Sequence, residues 1–208
     1  MKEYNRFEVF VSLDKFDLND AVNSVLNYKG FKDVDSGALH LNVSYVVYVL
    51  NHLNNVRLSF DVLSNLIKMD DFDYWSCRIM IERHDEYKFS HAEFRGYAQW
   101  FYPAQGEDKN EEMMLNAWNH HQKHHPHHYQ YWLLTEGVDT KPLPMPFSAL
   151  FDMLCDWAAM SFEFGNKPSE WFNDNKKKMI FHSKTIDSIE RFLPKVDKAV
   201  EIMIKNKK

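Results

Sequence analysis

The 208-residue chain has few of the residues that build turns and cross-links, with six glycines, seven prolines and two cysteines. An all-β sandwich or barrel needs a turn about every 8–12 residues, so scarce glycine and proline disfavour that class. The two cysteines, Cys77 and Cys155, are too few for a disulfide framework. A chain of this length can bury a self-sufficient hydrophobic core, so the fold needs no such cross-links.

The chain also lacks an excess of positive charge and a long apolar segment. Its net charge is −5, whereas non-specific binding to nucleic acid needs a basic face, so we expect no nucleic-acid partner. The longest apolar run, 43–50, is far shorter than the roughly 18–20 residues of a membrane-spanning helix, so we expect no membrane partner. Residues 1–4 do not begin a signal peptide, and we therefore expect a reducing, cytoplasmic location.

Histidine is the residue that the chain has in excess. Six of the 11 histidines lie within nine residues, at positions 120–128. This cluster is internal, is interrupted by Pro126 and lies between Trp118 and Trp132, so it is not an expression tag. A metal site and a pH-sensitive surface patch are the remaining explanations.

Apolar residues along most of the chain recur at three- and four-residue spacing, which predicts a mostly helical, all-α protein. His52 lies beside the apolar stripe of the longest such segment. Ser90 and Glu93 have the spacing of a capping box, which predicts a helix beginning one residue after Ser90 and explains the Glu93 side chain; a role beside metal ligands or as a general base is the alternative for Glu93. The predicted elements are a short strand or extended arm at 6–13, helices at 17–26, 42–67, 72–85, 91–101, 111–124, 147–164, 168–175 and 183–204 with a candidate break near Pro194, and a proline-rich loop at 139–146.

Residue types that bind metals occur on or at the ends of separate predicted helices, so a helical bundle can bring them to one point. Imidazole nitrogens and carboxylate oxygens bind divalent metals such as Mn²⁺, Fe²⁺, Co²⁺, Ni²⁺ and Zn²⁺. Lys88 follows three residues after the last member of the adjacent His-Asp pair. In chain order the candidate ligands are His52, His84, Asp85, His121, His127, His128 and Asp156.

Three of these candidates can bind a metal only under a structural condition. Consecutive helical residues point about 100° apart, so His84 and Asp85 can both reach one metal only at a helix end or with the metal set against the turn. Asp156 lies in an otherwise apolar helical segment, where a buried carboxylate needs a partner or a metal. Asp152, one turn earlier on the same segment, is the alternative to Asp156.

The order of the seven candidate ligands along the chain resembles the HD-domain superfamily of metal-dependent phosphohydrolases. A closer resemblance, over residues 50–193, is to an uncharacterised family common in bacteriophages and Firmicutes, some members of which are labelled catalase. Nothing in the sequence supports haem peroxide chemistry, and His125 stands where that family usually has Asn. The closer resemblance is carried by His84-Asp85-x-x-Lys88-Phe89, Glu93-Phe94, Ala117-Trp118, the segment 121–132, Met145-Pro146 and Asp156-Trp157.

The resemblance implies an HD-like helical bundle in 39–208, preceded by an N-terminal extension in 1–38. It also implies one or two divalent metal ions (Mn, Fe, Co, Ni, Zn or Mg), a small phosphorylated substrate of the nucleotide class, and a bacterial or phage-infected host cell. A second metal would be held by His121 together with His127 or His128. A mononuclear site would use His52, His84, Asp85 and Asp156.

The resemblance further implies roles in catalysis. Asp85 acts as a metal ligand, and Lys88 stabilises charge that develops on the transferred phosphate. His124 and His125 are candidates for contact with the substrate, although the four-residue spacing of His120 and His124 favours a solvated helix face for these two.

Two other functions compete with the phosphohydrolase. The first is a non-catalytic phage or host-interaction protein in which the metal stabilises the fold. A ferritin-like oxidase ranks last, because the chain contains no Glu-x-x-His pair.

Overall fold

Helices make up most of residues 18–207, the part of the chain that the computed structural model describes; the predicted extended segment at 6–13 lies outside it. The all-α prediction is confirmed, since the one sheet in the described residues is a two-stranded antiparallel hairpin. None of these helices is long and apolar enough to span a membrane. The elements are α1 (Leu18–Asn27), α2 (Ser36–Leu39), α3 (Val43–Leu66), α4 (Asp71–Glu82), α5 (Phe94–Phe101), α6 (Glu111–His124), β1 (Leu133–Glu136), β2 (Asp139–Pro142), α7 (Phe147–Phe164), α8 (Pro168–Asn175) and α9 (Ser183–Asn206).

The described chain divides into two compact units. Unit 1 comprises residues 18–54 and 85–121, and unit 2 comprises residues 55–84 and 122–207. Helices α3 and α6 each contribute residues to both units. The predicted boundary after residue 38 stays a prediction.

In unit 1, residues from the predicted N-terminal extension share a hydrophobic core with α3 and α5. Val22 and Phe31 belong to the same buried cluster as Leu50 and Phe94. The segment 32–35 is also hydrogen-bonded to the segment 86–90 through the backbone: the Lys32 amide donates to the Glu86 carbonyl at 2.8 Å and the Asp35 amide to the Phe89 carbonyl at 2.8 Å. These bonds fix the course of the chain that follows Asp85.

Helices α5 and α6 approach closely at Gly96. A Cβ atom at this position would lie 2.5 Å from the carbonyl oxygen of Met113 and 2.8 Å from Cβ of Ala117. Since real Cβ atoms do not come that near to other heavy atoms, a side chain larger than hydrogen would push the two helices apart. Glycine therefore sets the distance between the start of α5 and the first two turns of α6.

In unit 2, α7 packs against α4 and α9, and α8 packs against α9. Almost every residue of the first half of α7 is buried, because its two flanks both face helices. Phe151, Leu154 and Ala158 lie in the centre of this core. Helix α7 ends at Gly165, whose φ of +73° is the left-handed conformation that glycine adopts without steric cost.

Four local predictions are wrong. Helix α4 ends at Glu82, three residues before the predicted end at residue 85. Helix α9 continues through Pro194 without a break, because the buried neighbours Leu193 and Val196 pack the helix into the core on both sides of the proline. Residues 139–142 form β2 and not a loop, since they pair with β1 in a register that places Glu136 opposite Asp139. Helix α5 begins at Phe94, three residues later than the capping box predicts.

We expect Gly96→Ala to destabilise the protein by about 1–3 kcal/mol, because the added methyl group meets a backbone carbonyl that cannot rotate away. In an ordinary helix the same change stabilises by about 0.5–1 kcal/mol. Gly37→Ala is the matched control, since its Cβ would meet nothing nearer than 3.8 Å. Urea unfolding measures both, and a neutral Gly96→Ala would show that α5 and α6 are not in tight contact.

Candidate metal centre

The Asp85 carboxylate lies between two histidine rings in unit 1. Its Oδ1 is 3.4 Å from Nε2 of His121, and its Oδ2 is 3.7 Å from Nε2 of His52. The side chains of Asp85 and His121 are buried, and that of His52 is 12% exposed. We call His52, Asp85 and His121 the Asp85 group. Its nitrogen and oxygen donors are of the types that bind divalent metals.

The backbone at Asp85 turns sharply. Helix α4 ends at Glu82, so His84 and Asp85 lie beyond its last residue, as the adjacent pair requires. Asp85 has a φ of +55°, in the left-handed region that few non-glycine residues occupy. Strained backbone of this kind persists where the surroundings hold it in place and is frequent at functional sites.

Lys88 lies beside the same carboxylate. Its Nζ is 3.9 Å from Oδ2 of Asp85 and 4.1 Å from the centre of the Tyr97 ring. Burial raises the pKa of Tyr97 well above its ordinary value, so the ring that Lys88 covers carries a neutral hydroxyl. The ammonium group is thus held against an aromatic face next to the negative charge of Asp85.

Glu93 joins two histidines of α6. Its Oε1 is 2.8 Å from Nδ1 of His120, and its Oε2 is 2.8 Å from Nδ1 of His121. The predicted capping box is therefore wrong: the side chain of Glu93 makes no cap bond. The carbonyl oxygen of Ser90 accepts from the amides of Glu93 and Phe94 instead. The predicted solvated position of His120 is also wrong, because this half-buried ring is hydrogen-bonded to Glu93.

A second group of donors lies within unit 2. Nδ1 of His84 is 2.8 Å from Oδ1 of Asp152, and Nδ1 of His127 is 3.4 Å from Oδ2 of the same carboxylate. The two imidazole rings are stacked with their centres 4.1 Å apart. One ligand atom from each of the three residues lies within 4.8 Å of the others, so these residues can hold a metal ion. We call His84, His127 and Asp152 the Asp152 group.

The Asp152 group is buried and charged. Burial by itself raises the pKa of Asp152, but the positive charges and hydrogen bonds of His84 and His127 outweigh it and hold that pKa well below its ordinary value. Asp152 lies in the second turn of α7. Packing of α7 against α4 brings it to His84, two residues after the end of α4.

The loop after α6 places the remaining histidines of unit 2. The indole Nε1 of Trp132 donates to the carbonyl of Pro126 at 2.8 Å, and the His128 amide donates to the carbonyl of His125 at 3.0 Å. These two bonds fold the chain back on itself. The ring of His127 consequently lies 4.3 Å from that of His128 and 5.5 Å from that of His125.

The structure brings some of the predicted site residues together and leaves others apart. Within unit 1 it groups His52, Asp85 and His121 and places Lys88 beside them. Within unit 2, Asp152 contacts the histidines, and no group of three metal-binding side chains in residues 18–207 includes Asp156. The ligand roles of Asp156 and His128 and the substrate-binding roles of the exposed His124 and the buried His125 stay predictions.

Sequence patterns alone did not favour a site role for Asp152 or for Glu93. Asp152 was the lesser alternative because Asp152 and Asp156 share one apolar helix, and the choice between them depends on how α4 packs on α7. Glu93 was assigned to a capping box because the spacing to Ser90 is local, whereas its real partners are 27 and 28 residues away.

The chain belongs to a protein family of unknown function, DUF5662, which matches residues 42–195. Those residues include both groups of donors. No curated protein and no solved structure matches the chain. The function of this family is unknown, so membership of the HD superfamily stays a prediction.

We expect Asp152→Ala to cost on the order of 3 kcal/mol of unfolding free energy, because it removes the buried carboxylate that faces Nδ1 of both His84 and His127. Asp156→Ala, one turn away and half-buried, should cost well under that. Urea unfolding at pH 7 compares the two variants. An equal or larger loss of unfolding free energy in Asp156→Ala would show that Asp156 and not Asp152 is the important carboxylate.

The same comparison should depend on pH. The folded-state pKa of Asp152 lies below the unfolded value of about 3.9, so its stabilisation is complete at pH 7 and is lost as the pH falls through the folded pKa. The stability difference between the parent protein and Asp152→Ala should therefore shrink below about pH 4. A difference that grows as the pH falls from about 4 to about 2 would contradict the assigned charge.

Proposed function

We propose that the protein is a divalent-metal-dependent phosphohydrolase that acts on a nucleotide or a related phosphate ester. The observation that carries this proposal is the Asp85 group with its lysine: a buried carboxylate between two imidazole Nε2 atoms, with an ammonium group 3.9 Å away. The same carboxylate thus lies beside an imidazole nitrogen that can bind a metal and beside an ammonium group that can bind an anion.

Within the Asp85 group, Asp85 and His121 are close enough to share a metal ion. His121 directs Nδ1 at Glu93 and Nε2 at Asp85, so two carboxylates face one imidazole from opposite sides. Positive charge must lie between Nε2 and Oδ1, carried either by a proton or by a metal ion. Asp85 and His121 would hold the ion, and His52 faces the other oxygen of the carboxylate. A divalent metal there would lower the pKa of a bound water toward about 7 and would polarise a phosphoryl oxygen.

Lys88 supplies what a phosphate ester needs from the protein itself. The Lys88 amide donates to the Asp85 carbonyl at 2.9 Å, so the two residues belong to one tight turn. The Tyr97 ring holds the ammonium group in place. A fixed positive charge beside the metal ligands stabilises the negative charge that develops on the phosphoryl oxygens in the transition state.

The substrate class rests on the resemblance to the HD superfamily. The net charge of −5 supports a small molecule over a nucleic-acid chain, because a nucleic acid binds through an extended basic surface. We therefore place nucleotides and related small phosphate esters first among the substrates to be tested.

A second candidate function is a non-catalytic interaction protein in which the metal is structural. The Asp152 group favours it, because all three of its side chains are at most 2% exposed. Structural metal sites are closed to solvent, whereas catalytic sites keep an open position. In this alternative the metal stabilises unit 2 and no phosphate ester is cleaved.

We expect Lys88→Ala to leave the metal bound and to lower the rate of phosphate-ester cleavage by about 10²–10³, the effect of one preorganised transition-state donor. Asp85→Asn should instead remove metal and activity together, because it removes a ligand. The measurement is release of inorganic phosphate from a nucleotide panel with added Mn²⁺, paired with metal analysis of untagged protein.

Lys109→Ala is the matched control for Lys88→Ala. Lys109 also lies over an aromatic ring, with Nζ 5.1 Å from the centre of Trp100, but it is exposed to solvent. Its replacement should leave the rate unchanged. Full activity of Lys88→Ala would remove Lys88 from the mechanism, and failure of metal-loaded parent protein to cleave any ester of the panel would favour the structural alternative.

A further inference from the structure

Glu93 is a fully buried carboxylate, with 0% of its side chain exposed. A buried carboxylate is stable only when its oxygens accept hydrogen bonds or it meets positive charge. Each of its two oxygens faces one imidazole at 2.8 Å, Oε1 facing His120 and Oε2 facing His121. The two histidines are adjacent on α6, and Glu93 directly precedes α5.

Helix capping does not account for this side chain. The carbonyl of Ser90 accepts from the amides of Glu93 and Phe94, so the first turn of α5 is satisfied without the Glu93 carboxylate. The close approach of α5 and α6 at Gly96, one turn after Glu93, brings the carboxylate within reach of α6. The geometry therefore directs Glu93 toward the two histidines.

A carboxylate that accepts from Nδ1 decides what the opposite ring nitrogen can do. With the proton on Nδ1 shared with Glu93, Nε2 of His121 carries a lone pair, and that atom lies 3.4 Å from Oδ1 of Asp85. Metal ions bind histidine through such a lone pair, and the acceptor on the other nitrogen fixes both the tautomer and the orientation of the ring.

We infer that Glu93 is a positioning residue that holds His121 with Nδ1 protonated and Nε2 turned toward Asp85 as a metal ligand. The inference rests on the proposed metal at the Asp85 group and on no particular substrate. His120 completes the arrangement by occupying the second oxygen of Glu93, so that the carboxylate cannot rotate away from His121. The Tyr87 ring meets His120 edge-on at 5.3 Å and supports that ring.

The first experiment needs no variant. Protein labelled with ¹⁵N and loaded with Zn²⁺ is studied by long-range ¹H–¹⁵N NMR of the histidine rings. We expect His121 to carry its proton on Nδ1 and to bind Zn²⁺ through Nε2. Binding through Nδ1, a proton on Nε2, or no Zn²⁺ at His121 overturns the inference.

The second experiment replaces the carboxylate. Glu93→Met keeps the length of the side chain but offers no acceptor, and we expect it to weaken Zn²⁺ binding at His121 by about 10–100-fold, as loss of a hydrogen-bonded partner of a metal ligand does. Chelator competition is followed through the His121 ring signals, so that Zn²⁺ bound by the histidines of unit 2 is not counted. Unchanged affinity together with an unchanged tautomer overturns the inference.

Asp35→Asn is the matched control. Asp35 is another buried carboxylate of unit 1, but its Oδ2 accepts from Nε of Arg95 at 2.7 Å and it touches neither His120 nor His121. This variant should leave the Zn²⁺ affinity and the His121 tautomer unchanged; an equal loss would show that any buried charge in unit 1 has the same effect and would overturn the specific role of Glu93. Failure of the proposed function is distinguishable, since it appears as Zn²⁺ bound at His121 without cleavage of any phosphate ester.

Discussion

The negative charge of Asp85 is buried, and much of unit 1 is arranged around that charge. An isolated carboxylate in a protein interior is strongly unfavourable, so positive or hydrogen-bonding partners must surround it. His52 and His121 face its two oxygens, and Lys88 lies 3.9 Å from one of them. The left-handed backbone at Asp85 is a further cost that only a well-packed environment sustains.

The residues that support this carboxylate come from distant parts of the sequence. Backbone hydrogen bonds to residues 32–35 hold the turn after Asp85, and α6 supplies His121. Gly96 allows α5 and α6 to approach closely enough for Glu93 to hold the far side of the His121 ring. Because Glu93 and the turn after Asp85 hold these donors in place, the donor set is preorganised. Preorganisation distinguishes a binding site from a chance cluster of polar residues.

The spacing of apolar residues and the positions of proline and glycine predict most of the helices. Helices α6, α7 and α8 begin and end at the predicted residues, because Pro126, Gly165 and Pro168 interrupt or start helices for reasons of backbone chemistry alone. Pro194 fails as a helix breaker because tertiary packing on both sides of it outweighs the lost hydrogen bond. Local chemistry therefore predicts elements well where no long-range contact competes.

The candidate site is only partly predictable, because contacts between residues far apart in the sequence determine it. His52, His84, Asp85 and His121 are found through their order along the chain, and each of the three histidines contacts an aspartate in the structure. The choice between Asp152 and Asp156 depends on the packing of α4 against α7, which no pattern within one helix reveals. The partners of Glu93 are likewise out of reach, because a local capping pattern conceals a contact made across 28 residues.

Anomalous X-ray diffraction from crystals grown with Mn²⁺ tests the metal assignment most directly. The account predicts an anomalous peak about 2.0–2.3 Å from a carboxylate oxygen of Asp85 and from Nε2 of His121. A crystal that shows no peak at Asp85, with His121 hydrogen-bonded to both Glu93 and Asp85, would mean that a proton and not a metal ion carries the positive charge there, and would contradict the account.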